Sequence, residues 1–310
     1  MRVKVLGSAA GGGFPQWNCA CPNCSRLRRG ELQSHARTQA QLAVSLHSSS
    51  WLLVNASPDL RQQLLRDAEF APVEGTRNTP IHGVVLTSAD SDCIMGLLHL
   101  REFQPLQIYS TPSIRRIVTG ENSLFRTLER SAPPVQWNDL PLDLPVAVCG
   151  RNSDCESEKV LCAAVPLGGE FPDYVSGTLR ESLPKEEAVI GLQLVQNKKK
   201  FFYAPSLPGC GVEWKKRAEE SDLALLDGTF WTDDELLHIR GSGKTARQMG
   251  HLPLSGENGL LEQLQHARTV RRVLVHMNNT NPVLDEESSA GRAARDAGWE
   301  VAYDGMEFQL

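Results

Sequence analysis

Strand-length apolar runs alternate with amphipathic, helix-like stretches along most of this chain. Met1 to Leu6 predicts a strand, and Gln41 to Leu46 and Ser50 to Asn55, split by a polar turn, predict a hairpin. Pro58 to Arg66, with Leu60, Leu64 and Leu65 on one face, predicts a short helix. An apolar strand at Gly83 to Thr87, a helix at Ile94 to Arg101 and a short strand at Leu106 to Tyr109 follow. The stretch 110–190 is less periodic, is broken by Pro133, Pro134, Pro141 and Pro145, and reads as a surface excursion. Strands at Ala188 to Gln196 and Lys200 to Ala204 close it, with Lys198 to Lys200 as a solvated hairpin turn. Alternation then resumes with strand Leu223 to Leu226, helix Leu260 to Ala267, strand Val273 to Val275, helix Glu286 to Ala297 and strand Glu300 to Tyr303. The order β-β-α-β-α, resumed later, predicts an α/β or α+β protein.

The ends of these strands are where chemistry gathers. Beyond Val84-Val85-Leu86 stand Ser88, Asp90, Asp92 and Cys93, two carboxylates and a thiol within four residues, with Gly96 after them. A strand that ends in closely spaced ligands lets one turn supply several bonds while the sheet fixes their geometry. Asp92 also fits as the N-cap of the next helix. Leu223 to Leu226 runs into Asp227-Gly228-Thr229, and Val273 to Val275 runs into His276-Met277-Asn278-Asn279. His251 stands in a loop between them, within Met249-Gly250-His251-Leu252-Pro253. His35, His47, His82, His99, His238 and His266 have no comparable setting and read as structural or solvent-facing.

Cysteine usage adds a second centre. Cys19, Cys21 and Cys24 form C-x-C-x-x-C, a tight thiolate knuckle that suits structural zinc once a fourth ligand arrives. His276 is the first candidate for that ligand, with Asn279 and water behind it. Cys149, Cys155, Cys162 and Cys210 are scattered and read as inert buried or half-buried thiols. The glycine-rich Gly7 to Gly13 lets backbone approach something closely, but no Gly-Lys-Ser/Thr follows it, which argues against a phosphate-cradling loop.

With 310 residues and a net charge of −5, the chain can bury a large core and has no general attraction for nucleic acid. No apolar run approaches the roughly 18 residues of a membrane span, and no leader pattern is legible, so a cytoplasmic protein without membrane insertion is expected.

The turn Ser88, Asp90, Asp92, Cys93, Gly96 fits the frame of the metallo-β-lactamase signature H-x-H-x-D-H-x-x-G with both leading histidines replaced, and with Cys93 at the last histidine. Gly7 to Cys19, Met249 to Gly256, His276 to Pro282 and Tyr303 to Met306 together closely resemble the coenzyme PQQ synthesis protein B family over essentially the full length. The resemblance implies a metallo-β-lactamase-type αββα sandwich of two mixed sheets flanked by helices, as one domain over 1–310 with a cysteine-rich zinc loop at 14–26. It implies a place in pyrroloquinoline quinone (PQQ) biosynthesis. Two roles are associated with the family: iron-dependent hydroxylation of the tyrosine ring of the Glu–Tyr-derived precursor, and non-enzymatic carriage of PQQ or its precursor towards the periplasm. For the hydroxylase, Asp90, Asp92, Asp227 and His276 are the expected Fe(II) ligands, with His251 and Asp92 as catalytic residues and Cys93 in the same cleft. Cys93 is an awkward neighbour for iron and O₂, because thiolates oxidise readily. Leu167 to Glu170 holds no histidine where the fold usually keeps one, and hydrolysis is accordingly disfavoured. Expected partners are PQQ or its precursor, other proteins of that pathway and a second copy of the chain.

Overall fold

The computed structural model describes all residues except 48–49, 103–104, 131–133, 151–158 and 268–270. Pro133 and Cys155, to which the sequence assigned roles, lie outside the described residues. Two compact units divide the chain: Met1–Leu6, Gln41–Lys199 and Glu307–Leu310 form the first, and Gly7–Ala40 with Lys200–Met306 forms the second.

The first unit is built on strands β1 (Arg2–Gly7), β2 (Gln41–His47), β3 (Ser50–Val54), β4 (Ile81–Val85), β5 (Gln107–Ser110) and β6 (Gln136–Asp139). Three antiparallel strands follow in the same unit, β7 (Val146–Val148), β8 (Val160–Gly168) and β9 (Val189–Gln196). The second unit carries β10 (Lys199–Ala204), β11 (Leu223–Asp227), β12 (Arg271–Val275) and β13 (Trp299–Val301), all parallel. The closing strand β14 (Glu307–Gln309) returns to the first unit, where it pairs antiparallel with β1, so the sheet there runs β14-β1-β2-β3-β4-β5-β6. From β3 to β6 that sheet is parallel. Parallel strands are covered on both faces and read as continuous apolar runs, which is why Leu223 to Leu226 are all fully buried.

Several sequence expectations need correction. The stretch 110–190 is no irregular excursion, since it contains β6, β7 and the nine-residue β8. The apolar run Cys162-Ala163-Ala164-Val165 is buried on both faces, so it lacks the alternation by which a half-exposed strand is recognised. The helix expected over Ile94 to Arg101 is instead one short α-turn, Ser91–Ile94, followed by a 3₁₀ segment, Met95–Leu100. Its N-cap position is Asp90 and not Asp92, which sits in the first turn. The helices near the C-terminus are shorter than expected, at Leu260–Gln263 and Ser289–Asp296, the latter capped by the Ser288 hydroxyl. The unexpected helix Pro22–Arg28 begins inside the cysteine motif, with proline in its first turn, where the missing N–H costs nothing.

Among the scattered thiols, Cys162 is fully buried as expected, and burial pushes it up to about 12. Cys210 is exposed, contrary to the buried or half-buried reading, and Cys149 is disulfide-bonded instead of free.

Candidate metal centres

Two groups of three ligating side chains stand close together among the described residues, Cys19 with Cys21 and Cys24, and Asp227 with His251 and His276. In each group the ligand atoms lie within 4.8 Å of one another. Both belong to the second unit.

Register explains the second group. Asp227 ends β11 directly opposite Val275, the last residue of the parallel neighbour β12, so the next residue, His276, emerges beside Asp227. His276 turns out of the strand with φ +61°, in the left-handed region that is costly for a histidine and is held only where surroundings enforce it. Gly228 is needed for the close approach of the two strand ends, because a Cβ there would come within 2.5 Å of the Met277 sulfur.

The Asp227 carboxylate is fully buried and fully engaged. Its Oδ2 accepts from the Leu207 N–H at 2.9 Å and lies 2.9 Å from His251 Nδ1. Its Oδ1 accepts from the Thr229 N–H at 3.0 Å and from the Thr229 hydroxyl at 2.6 Å. Burial would raise its pKa, but the His251 and His276 charges and these hydrogen bonds outweigh it and hold the carboxyl below the usual range. Thr229 Oγ1 also lies 3.1 Å from His251 Nδ1 and 2.9 Å from His276 Nδ1. Its single proton goes to Asp227 Oδ1, so towards the imidazoles Thr229 Oγ1 can only accept. The two imidazoles stack, with centroids 5.3 Å apart and planes at 23°, and Phe230 packs edge-on against His251 at 5.9 Å. Thr229 was missed by sequence reasoning, although a hydroxyl two residues after a strand-end aspartate was a usable signal. His251, expected as a proton-transfer residue, stands among the ligating groups themselves.

The cysteine group is built by the loop before Pro22–Arg28 and by that helix's first turn, with Cys21 and Cys24 buried and Cys19 half-buried. Asn279, and not His276, faces it: its side-chain amide lies 3.1, 3.5 and 3.4 Å from the sulfurs of Cys19, Cys21 and Cys24. The two thiols of the C-x-C differ. Burial pushes Cys21 up to about 12, whereas at Cys19 hydrogen bonds from Cys21 and Asn279 overcome burial and lower the pKa. Three converging sulfurs beside a polar amide match the soft donor set of structural zinc.

Asp90, Asp92 and Cys93 lie in the first unit and form no group of three among themselves. The Ser88 hydroxyl donates to Asp90 Oδ2 at 2.8 Å, and the Cys93 carbonyl accepts from the Ala56 N–H at 2.7 Å. Gly96 is dictated by packing, since a Cβ there would meet the Ser57 carbonyl oxygen at 2.3 Å. Burial, then the charges of Asp92 and Asp90, push the Cys93 thiol far above its ordinary value, so it stays neutral.

Residues 50–277 match the model of the Beta-lactamase superfamily domain. Coenzyme PQQ synthesis protein B from Azoarcus sp. (strain BH72) is 41% identical over 312 residues, covering 100% of both chains. The protein of that name from Methylococcus capsulatus is 40% identical, again over 100% of both. The chain belongs to the coenzyme PQQ synthesis protein B family. A crystal structure of Zn²⁺-bound PqqB from Methylobacterium extorquens superposes with a TM-score of 0.90 at 36% identity, covering 100% of both chains. A diphosphatase of the PhnP family shares the fold alone, at a TM-score of 0.65 and 17% identity. The fold class expected from the sequence, two mixed sheets flanked by helices as in metallo-β-lactamases, is therefore correct. No described helix is long and apolar enough to cross a membrane.

Proposed function

We propose that the chain serves PQQ biosynthesis as an iron-dependent hydroxylase of the tyrosine ring of the Glu–Tyr-derived precursor, with Asp227, His251 and His276 holding Fe(II) and Cys19, Cys21 and Cys24 holding structural zinc. The observation that carries this reading is the donor set of the first group, two imidazoles and one carboxylate within 4.8 Å. That set fits ferrous iron, which, bound with coordination positions left open, supplies the O₂ chemistry of non-haem oxygenases.

The chain's own residues do the rest. Asp227 is kept ionised by the neighbouring His251, then His276, and by its buried hydrogen bonds, so it can offer negative charge to a cation without first losing a proton. Thr229 and the Phe230 edge fix the orientation of the two rings, the kind of outer support that tunes a metal site.

The test is anaerobic loading with ferrous iron followed by exposure of protein and precursor to O₂. Hydroxylated product from the parent, and none from Asp227→Ala, is the expected result; no product from iron-loaded parent would sink the reading. One observation favours a second reading, carriage of PQQ or its precursor: a thiol, Cys93, stands beside Asp90 and Asp92 at the place of a signature histidine. Micromolar binding of PQQ by metal-free protein, without turnover by the iron-loaded form, would establish it.

A further inference from the structure

The six residues from His276 to Asn281 touch both groups of ligating side chains. At one end, His276 belongs to the Asp227 group, the Asn278 N–H donates to the Thr229 carbonyl at 3.1 Å, and Asn281 Nδ2 donates to the Gly228 carbonyl at 2.8 Å. Thr229 in turn lies within hydrogen-bond distance of Asp227, His251 and His276. At the other end, the Asn279 amide faces all three cysteine sulfurs, and Asn23, inside the cysteine helix, donates to the carbonyls of Asn279 at 3.2 Å and Asn281 at 2.9 Å. The glycine-rich segment after β1 closes the clamp: the Met277 N–H donates to the Ser8 carbonyl and the Ala10 N–H to the Met277 carbonyl, both at 2.9 Å. At the first end, His276 keeps its left-handed backbone at φ +61°.

We infer that the cysteine group controls the Asp227 group through this loop: zinc on Cys19, Cys21 and Cys24 raises the affinity of Asp227, His251 and His276 for their metal, with Asn279 as the positioning residue. The inference rests on the reading that both groups hold metal. Its physical basis is strain. A left-handed histidine persists only while its surroundings over-determine it, and a loop gripped at one end by metal-drawn sulfurs is better determined than one facing three loose thiols. Losing outer support of this kind weakens metal binding by about 10- to 100-fold.

Cobalt(II) titration reads the two groups separately, because thiolate ligation adds intense charge-transfer absorption that oxygen and nitrogen ligation lacks. Zinc-loaded parent should take up cobalt at the Asp227 group about 10- to 100-fold more tightly than zinc-free parent or zinc-loaded Asn279→Ala. Linkage then demands that cobalt at the Asp227 group tighten zinc binding by the same factor, a reciprocity that a merely structural role for Asn279 would not produce. Equal cobalt affinities in all three proteins would overturn the coupling while leaving both metal sites intact. Failure of cobalt to reach the Asp227 group at all would overturn the metal reading of that group as well. If removing zinc unfolds the parent, as judged by circular dichroism, the comparison of parent with zinc-loaded Asn279→Ala decides alone.

Discussion

Asp90 and Asp227 both follow buried strands, and both were candidate ligands, yet the structure surrounds them differently. Asp90 is half-buried in a turn where its neighbour Ser88 supplies a hydroxyl. Asp227 is fully buried and takes two backbone N–H groups, one hydroxyl and an imidazole. The difference lies in how ligands are gathered. In the first turn they are neighbours in sequence, so a single tight bend must aim them all. In the second, two parallel strands in register deliver Asp227 and His276 side by side from positions far apart in the chain.

The largest expected effect tests that contrast directly. Asp227→Ala leaves buried donors without an acceptor and should cost about 3–5 kcal/mol in urea unfolding, as for breaking a buried charged pair. Asp90→Ala removes a half-buried carboxylate that accepts from the Ser88 hydroxyl and should cost less, about 0.5–1.5 kcal/mol. Because Asp227 is held below its unfolded pKa, its share of stability is present above the unfolded value and is lost as the pH falls through the lowered one. The gap between the two variants should therefore narrow in acid. Equal costs at neutral pH would mean that burial does not separate the two turns.

How much of this was legible in the sequence follows from the same contrast. Strand ends carrying Asp227 and His276 could be read, because apolar runs and the residues just past them are local patterns. Which strand lies beside which is not local, so the convergence of Asp227 with His276 was implied by the family resemblance alone, and the register behind it, Asp227 opposite Val275, comes from the sheet. Asn279 was named only as a reserve for the zinc site, since nothing in Asn278-Asn279 tells which amide faces inward. β8 escaped notice because a strand buried on both faces shows no alternation.

Glu235 sharpens the comparison with a third carboxylate, nearly as buried as Asp227 but with the opposite shift. Its oxygens accept from the Thr280 hydroxyl and from the Trp231 N–H at 2.7 Å, neither of them charged. Burial therefore wins and pushes its pKa up to about 7. With a folded pKa above the unfolded one, Glu235 contributes stability fully below about pH 4.5 and loses it as the pH rises through about 7. Glu235→Gln imitates the protonated acid. It should match the parent near pH 4.5 and exceed it at pH 8.5 by up to about 3 kcal/mol, each pKa unit being worth about 1.4 kcal/mol. A variant less stable than the parent at pH 8.5 would show that the carboxylate is held there as an anion.

The smallest effect carries no change in stability and compares the two regions through their thiols. Nucleophilic reactivity belongs to the thiolate, so a lowered pKa in an accessible position speeds alkylation and a raised one slows it. Cys19 is half-buried with its pKa lowered by hydrogen bonds, while Cys93 is raised far above the ordinary value by burial and by Asp92 and Asp90. In zinc-free protein at pH 7.5, limited iodoacetamide treatment followed by peptide mass analysis should find Cys19 modified well before Cys93, by about tenfold or more in rate if their pKa values differ by a unit or more. Zinc should then protect Cys19 and leave Cys93 unchanged, because a metal-bound sulfur is withdrawn from the reagent. Modification of Cys93 at the rate of Cys19 would mean an ionised thiol in the acidic turn. That turn would then carry a thiolate beside two carboxylates, and the reading of Cys93 as a neutral thiol would fail.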